Sequence, residues 1–247
     1  VIGMPMIGDT APNFHATTTM GEMDFPKDYY GKWVILFSYV ADFTPVCTTE
    51  IMTFASMVDE FKQIETELVA VSTDSVYSHI AWIRKIKELA WKDMKHLEIT
   101  FPLIADVSLE VSRTYGMLLS MSGKQNVRSV FVIDPDGKLR AELHYPVEIG
   151  RNIQELKRIL IALQKADLEK ALIPAEWLPE EDVIIQTPDT CLVAADRIER
   201  INENMYCLDW FLSFKQTNYS ADQAEKIPEV NPYPSAFPIK RRNNFRR

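Results

Sequence analysis

The residues best suited to chemistry are Thr44, Pro45 and Cys47, in the run Thr44-Pro-Val-Cys47. They follow an apolar segment at 33–40, Trp-Val-Ile-Leu-Phe-Ser-Tyr-Val, which is too short for a helix and reads as a buried strand. Thr44 suits a helix N-cap, and Pro45 the first helical position, where a missing N–H costs nothing. Cys47 then falls in the first helical turn. Unpaired backbone N–H groups and the positive end of the helix dipole favour a thiolate there. In an open α/β sheet, ligands bind beyond the carboxyl ends of strands, which is where this turn lies. An inert buried cysteine is the alternative, and the helix start favours a reactive one. The substrate is not legible from this run alone.

The elements that must position this thiol follow along the chain. After Cys47, the residues Ile51, Phe54, Ala55, Val58, Phe61 and Ile64 share one helical face. Residues 67–72 predict a second strand. Asp74 or Ser75 caps a further helix with Val76, Ile80, Ile83 and Ile86 inward. A short extended piece at 101–104 leads to a brief helix at 109–115. Strands at 127–133 and 139–145 are joined by Asp134-Pro-Asp-Gly137, a hairpin signal. An amphipathic helix covers 152–168, with Ile153, Leu156, Ile159, Leu160 and Leu163 inward. The order implies a mixed sheet covered on both faces, an α/β thioredoxin-like fold with an N-terminal hairpin at 11–24.

This gives a main domain at 1–170 and a C-terminal arm or small domain at 171–247. In the arm prolines recur and periodicity fades. Yet Tyr206, Leu208, Trp210, Phe211, Leu212 and Phe214 form an apolar cluster that has to be covered, by a neighbouring subunit in preference to the main domain.

Composition narrows the classes. Of 247 residues, 47% are apolar and 25% charged, which suits a folded globular chain. The balance of 27 Lys and Arg against 35 Asp and Glu leaves −8, so general affinity for nucleic acid is excluded. The basic stretch 240–247 reads as a solvated tail. Three widely spaced cysteines and four scattered histidines fit neither a disulfide framework nor a zinc module. No signal segment is visible at the N-terminus, and no apolar run reaches the ~20 residues of a membrane span. A cytoplasmic location without membrane contact is the expectation.

The run Phe43-Thr-Pro-Val-Cys-Thr-Thr-Glu50 resembles the active-site segment of the peroxiredoxins (AhpC/TSA superfamily). The likeness is to the long one-cysteine-type branch that includes archaeal thioredoxin peroxidases. It continues through Ser72-Thr-Asp-Ser-Val-Tyr-Ser-His79, Phe101-Pro-Leu-Ile-Ala-Asp106, Val127-Arg-Ser-Val-Phe-Val-Ile-Asp134, Tyr145-Pro-Val-Glu-Ile-Gly-Arg151 and Tyr206-Cys-Leu-Asp-Trp210, in the same order. The resemblance implies that Cys47 is the peroxidatic cysteine, that Thr44 helps hold the peroxide, and that Arg128 stabilises the thiolate. Glu50 and Arg151 would support that arginine. Helical spacing agrees in placing Glu50 on the Cys47 side. Arg128 shares a strand face with Val130 and Val132, where an unpaired cation would be costly.

Two departures accompany the likeness. The motif proline is Val40, and the residue before it, often His in this branch, is Tyr39. The Tyr39 hydroxyl either reaches the peroxide or packs. Of two late cysteines in archaeal relatives, Cys207 matches the first, and the second is Ser213. The oxidised sulfur is therefore resolved by an external thiol, by Cys207 or by Cys191. His79 and His144 read as core or surface residues, and Trp82 and Trp91 as packing. The segment Lys27-Asp-Tyr-Tyr-Gly31 lacks the serine of a lipase-like element.

The implied activity is thiol-dependent reduction of hydrogen peroxide and small organic hydroperoxides through a sulfenic acid, without metal or organic cofactor. A thioredoxin-like protein or small thiol would be the reductant. Homodimers through the arm, and rings of five dimers, are also implied. The alternative is an oligomeric holdase or peroxide-responsive redox sensor with weakened turnover.

Overall fold

A computed structural model describes residues 4–120, 123–199 and 204–217. The basic stretch 240–247 and the late prolines lie outside them. The chain divides into two compact units between Gln164 and Lys165.

The first unit is built on a seven-stranded sheet of order β2-β1-β7-β4-β3-β8-β9. The strands are β1 (Phe14–Thr18), β2 (Gly21–Phe25), β3 (Trp33–Ser38), β4 (Thr66–Ser72), β7 (Leu103–Ala105), β8 (Arg128–Ile133) and β9 (Leu139–Tyr145). A separate two-residue ladder joins β5 (Ala90–Trp91) to β6 (Met94–Lys95). β3 runs parallel to β4, and β4 to β7, while β8 runs antiparallel beside β3 and β9 antiparallel beside β8 at the sheet edge. This is the mixed sheet expected of the strand and helix order. The Asp134–Gly137 turn closes the β8–β9 hairpin, with Asp134 Oδ1 accepting from the backbone N–H groups of Asp136 and Lys138.

β3 alternates between two cores. Ile35 and Phe37 join Val130 and Val132 on one face, and Val34 and Leu36 join Phe131 and Ile133 on the other. Fully burying each such side chain contributes about 1.5–3 kcal/mol, which fixes the register of the central strands. The first face is covered by α1 (Pro45–Ser56), α2 (Val58–Gln63), α3 (Val76–Glu88) and α5 (Ile153–Glu169). Against the second pack the N-terminal hairpin and α4 (Glu110–Thr114).

Two helical expectations need correction. The single helix drawn through Ile51 to Ile64 is broken at Met57 (φ −106°, ψ 4°), whose N–H bonds back to Phe54 O. Phe54, Val58 and Phe61 still point inward, so the break leaves the apolar stripe continuous. In α3 the buried residues are His79, Trp82 and Ile86; of the expected stripe Ile86 is buried and Ile83 packs partly buried against the core, while Ile80 is exposed. Ser75 is the N-cap, accepting from Ser78 N–H.

The second unit is more regular than its composition suggests. Strands β10 (Val183–Ile184), β11 (Met205–Asp209) and β12 (Leu212–Lys215) form an antiparallel sheet of order β10-β12-β11, accompanied by α6 (Cys191–Glu199). Tyr206 and Phe214 stack across it at 5.0 Å, while Leu208, Trp210 and Phe211 remain exposed. No described helix is long and apolar enough to cross a membrane.

Candidate active site

β3 ends at Ser38, and the chain bends through Val40 to Thr44 before α1 begins with Pro45 as its first residue. Thr44 has the extended backbone of an N-cap, but its side chain makes no cap hydrogen bond. Its Oγ1 instead donates to Ala41 O at 2.7 Å. The capping expectation thus holds for the backbone and fails for the hydroxyl. The Thr44 side chain accordingly accepts no capping bond from the N–H groups of the first helical turn.

Cys47 is wholly buried one turn before Glu50, and both face the start of β8. Antiparallel pairing to β3 sets Arg128 beside the carboxyl end of that strand, on the Val130–Val132 face. Arg128 Nη1 lies 3.1 Å from Cys47 Sγ and 2.7 Å from Glu50 Oε2. Its Nε and Nη2 both donate to Val147 O, at 3.1 and 2.6 Å. That double anchor fixes the plane of the guanidinium.

Arg151 completes the cage. Its Nε and Nη2 donate to the two oxygens of Glu50 at 2.8 Å each, and its backbone N–H adds a third bond of 2.8 Å. Nη1 reaches Ser38 O at 2.9 Å and Ser129 O at 3.2 Å, tying α1 to β3 and β8. The guanidinium sits over the rings of Phe37 and Phe54. Gly150 packs closely beside this helix start, where a Cβ would come within 3.3 Å of Val46 Cγ1. Burial pushes the Glu50 carboxyl up, but the two guanidiniums outweigh it and hold the group below its ordinary range.

The structure thus brings together Cys47, Glu50, Arg128 and Arg151, with Thr44 at the mouth of the same helix. Tyr39 belongs to a second buried cluster. Its hydroxyl donates to Asp42 Oδ1 at 2.9 Å and lies 3.2 Å from His79 Nδ1. Burial, and then the Asp42 charge, raise its phenol well above the ordinary value, so it stays protonated. Trp82 packs on Tyr39 at 5.3 Å. Sequence reasoning gave Asp42 no role and offered Asp74 only as a helix cap, which the structure assigns to Ser75. Asp42 stands directly before the Phe43–Glu50 run, and the spacing of His79 to Trp82 and Ile86 is the buried period of α3, so signals for Asp42 and His79 were present.

The remaining thiols lie in the second unit. Cys191 is exposed at the first position of α6, and Cys207 is half-buried, donating to Asp209 O at 2.8 Å with Ser213 Oγ at 3.2 Å. All three cysteines are free.

Comparison with known proteins identifies the family. Residues 7–142 match the model of the AhpC/TSA family. A peroxiredoxin of Methanosarcina mazei is 54% identical over 215 residues, covering 86% of this chain and 98% of its own. A peroxiredoxin of Aquifex aeolicus is 44% identical over 227 residues, covering 87% and 99%. Among solved structures, the yeast mitochondrial 1-Cys peroxiredoxin superposes with a TM-score of 0.73 at 37% identity, covering 86% of this chain and 99% of that one. A mutant of the peroxiredoxin 6 of Arenicola marina gives 0.73 at 29% identity, covering 87% and 99%. The chain therefore belongs to the AhpC/TSA family and is a peroxiredoxin, a cysteine-based and thiol-dependent peroxidase.

Proposed function

We propose that Cys47 is the peroxidatic residue and that it reduces hydrogen peroxide and small organic hydroperoxides. The observation that carries this is the 3.1 Å contact of Arg128 Nη1 with Cys47 Sγ inside the Glu50–Arg151 cage. Two guanidiniums and one carboxylate leave one positive charge in a dry site, and a thiolate at Cys47 balances it.

The thiolate attacks the proton-bearing oxygen of the hydroperoxide in line with the O–O bond. An S–O bond forms and the O–O bond breaks. Sulfur is oxidised to the sulfenic acid, and the other oxygen departs as alkoxide or hydroxide, taking a proton from water. The described bonds engage four of the five Arg128 N–H groups, leaving one on Nη2 for a peroxide oxygen. With the Val46 and Cys47 N–H groups it stabilises the charge on the leaving oxygen. Thr44 Oγ1 holds the attacked end.

An external thiol returns Cys47 to its reduced form. Cys207 is engaged within its own hairpin, where its thiol donates to Asp209 O. The solved yeast relative is described as resolved through glutathione and thioredoxin systems. Exposed Leu208, Trp210 and Phe211 fit self-association through the second unit, as a homodimer. The holdase or sensor alternative rests on Tyr39 and Val40, and both pack into the core beside an assembled Cys47 cage. That favours the enzyme.

Peroxide consumption with dithiothreitol as donor tests the reading. Turnover by the wild type that vanishes in Cys47→Ser is expected, and equal rates in the two proteins would refute it.

A further inference from the structure

The Ala41–Asp42 peptide is held from both sides. Its carbonyl accepts the Thr44 hydroxyl at 2.7 Å, and its N–H donates to Asp74 Oδ2 at 2.9 Å. Asp74 is itself fixed by Ser72, whose hydroxyl donates to the same oxygen at 2.8 Å. The Asp42 side chain is pinned independently. His79 Nε2 faces the Ile104 carbonyl at 3.1 Å and so carries a proton. Nδ1 faces Asp42 Oδ2 at 2.9 Å, and Tyr39 donates to Oδ1. The Tyr39 and His79 residues are wholly buried, and the Asp42 side chain is 1% exposed.

The site reading above uses Thr44, but it gives no role to these four side chains. A buried carboxylate, imidazole and phenol closing on one another are costly to assemble unless every polar group is paired. Here each has a polar partner within 3.2 Å, and the consequence falls on the peptide they surround. Phe43 adds to the constraint, standing in the left-handed region at φ 60°, where a bulky residue is held only by its surroundings.

We propose that Asp74 and the Tyr39–Asp42–His79 triangle are positioning residues that lock the Ala41–Asp42 peptide and so present the Thr44 hydroxyl to the peroxide solely as a hydrogen-bond acceptor. The Thr44 proton is committed to Ala41 O, and only oxygen lone pairs face the substrate. The site then takes a peroxide oxygen that still carries its proton, which is the oxygen the thiolate attacks. That proton remains on the oxygen as it becomes the sulfenic acid. The proposal rests on the reading that Cys47 attacks the peroxide and Thr44 holds it.

Two rates separate positioning from general damage. One is the second-order rate of Cys47 with hydrogen peroxide, and the other its alkylation by iodoacetamide, which has no O–H to present. Asp74→Ala removes the acceptor for the Asp42 N–H on a half-exposed side chain. Its peroxide rate is expected to fall about 10- to 100-fold, the scale of a displaced positioning group. Alkylation should stay at the wild-type rate, and Asp74→Asn, which keeps an acceptor oxygen, should recover most of the loss. In a Thr44→Val background Asp74→Ala should produce no further loss, since residues acting through one group are not additive. Tyr39→Phe, which deletes a single hydroxyl, repeats the cycle if Asp74→Ala does not fold. A full additional loss in the Thr44→Val background, or an equal fall in alkylation, would overturn the proposal and leave the Cys47 reading standing. A Thr44→Val protein with the wild-type peroxide rate would remove the assignment of Thr44 and this proposal with it. Failure of Cys47→Ser to abolish the reaction would instead strike the underlying function.

Discussion

Arg128 Nη1 is shared between Cys47 Sγ at 3.1 Å and Glu50 Oε2 at 2.7 Å, so one guanidinium nitrogen serves the thiol and its charge partner together. Arg128 can thus be removed without stripping Glu50 of compensation, because Arg151 holds both carboxylate oxygens. The Arg128→Gln protein should remain folded and lose about 10²- to 10³-fold in its peroxide reaction, the scale for one preorganised donor. Stopped-flow peroxide kinetics beside a urea melt checks both halves.

Arg151 is expected to behave in the opposite sense. Its described hydrogen bonds go to Glu50 and to Ser38 O and Ser129 O, which tie α1 to β3 and β8. Arg151→Met leaves a buried carboxylate and two strand carbonyls with fewer partners. The expected loss is about 3–5 kcal/mol of stability, the scale for breaking a buried pair. Equilibrium urea unfolding measures it, and the loss should exceed that of Arg128→Met.

Glu50 gives the molecule an acid limb. Its folded carboxyl sits below its ordinary range, burial opposing and the two guanidiniums prevailing. Below the unfolded value of about 4.3 the unfolded chain binds the proton more readily, so stability rises with pH there. The contribution is complete above that value and disappears as pH falls through the lower folded value. Urea midpoints measured from acid to neutral pH should show this limb, and Glu50→Gln should flatten it.

Much of this was legible in the sequence. Cys47, Thr44 and Pro45 announce a helix start by their types, and the Arg128 face follows from strand alternation with Val130 and Val132. Other features were hidden because they depend on which competing residue takes the interior. In α3 the aliphatic stripe through Ile80 looked inward, yet His79 is buried where Asp42, Tyr39 and Ile104 O surround its ring nitrogens. The break at Met57 leaves no trace in periodicity, since Phe54, Val58 and Phe61 point inward on either side of it. The small sheet of the second unit was masked by short strands among prolines. The Thr44 hydroxyl turned to Ala41 O instead of capping α1, a choice between two acceptable local bonds that residue type does not decide.

The two other cysteines should be dispensable. Cys207 is hydrogen-bonded within its own hairpin and Cys191 opens α6. A Cys191→Ser, Cys207→Ser protein should retain wild-type turnover with an external thiol. Non-reducing mass spectrometry of peroxide-treated wild type should show no disulfide to the Cys47 peptide. A crosslinked peptide would identify a resolving partner and replace the one-cysteine cycle.

The central claim is that the sulfur beside Arg128 is the one that meets the peroxide. Treating the protein with one equivalent of hydrogen peroxide in the presence of dimedone, then mapping the adduct by peptide mass, tests it most directly. The adduct should sit on the Cys47 peptide, form far more slowly in Arg128→Gln and be missing in Cys47→Ser. An adduct on Cys191 or Cys207 alone, or equal labelling in the Cys47→Ser protein, would contradict the account.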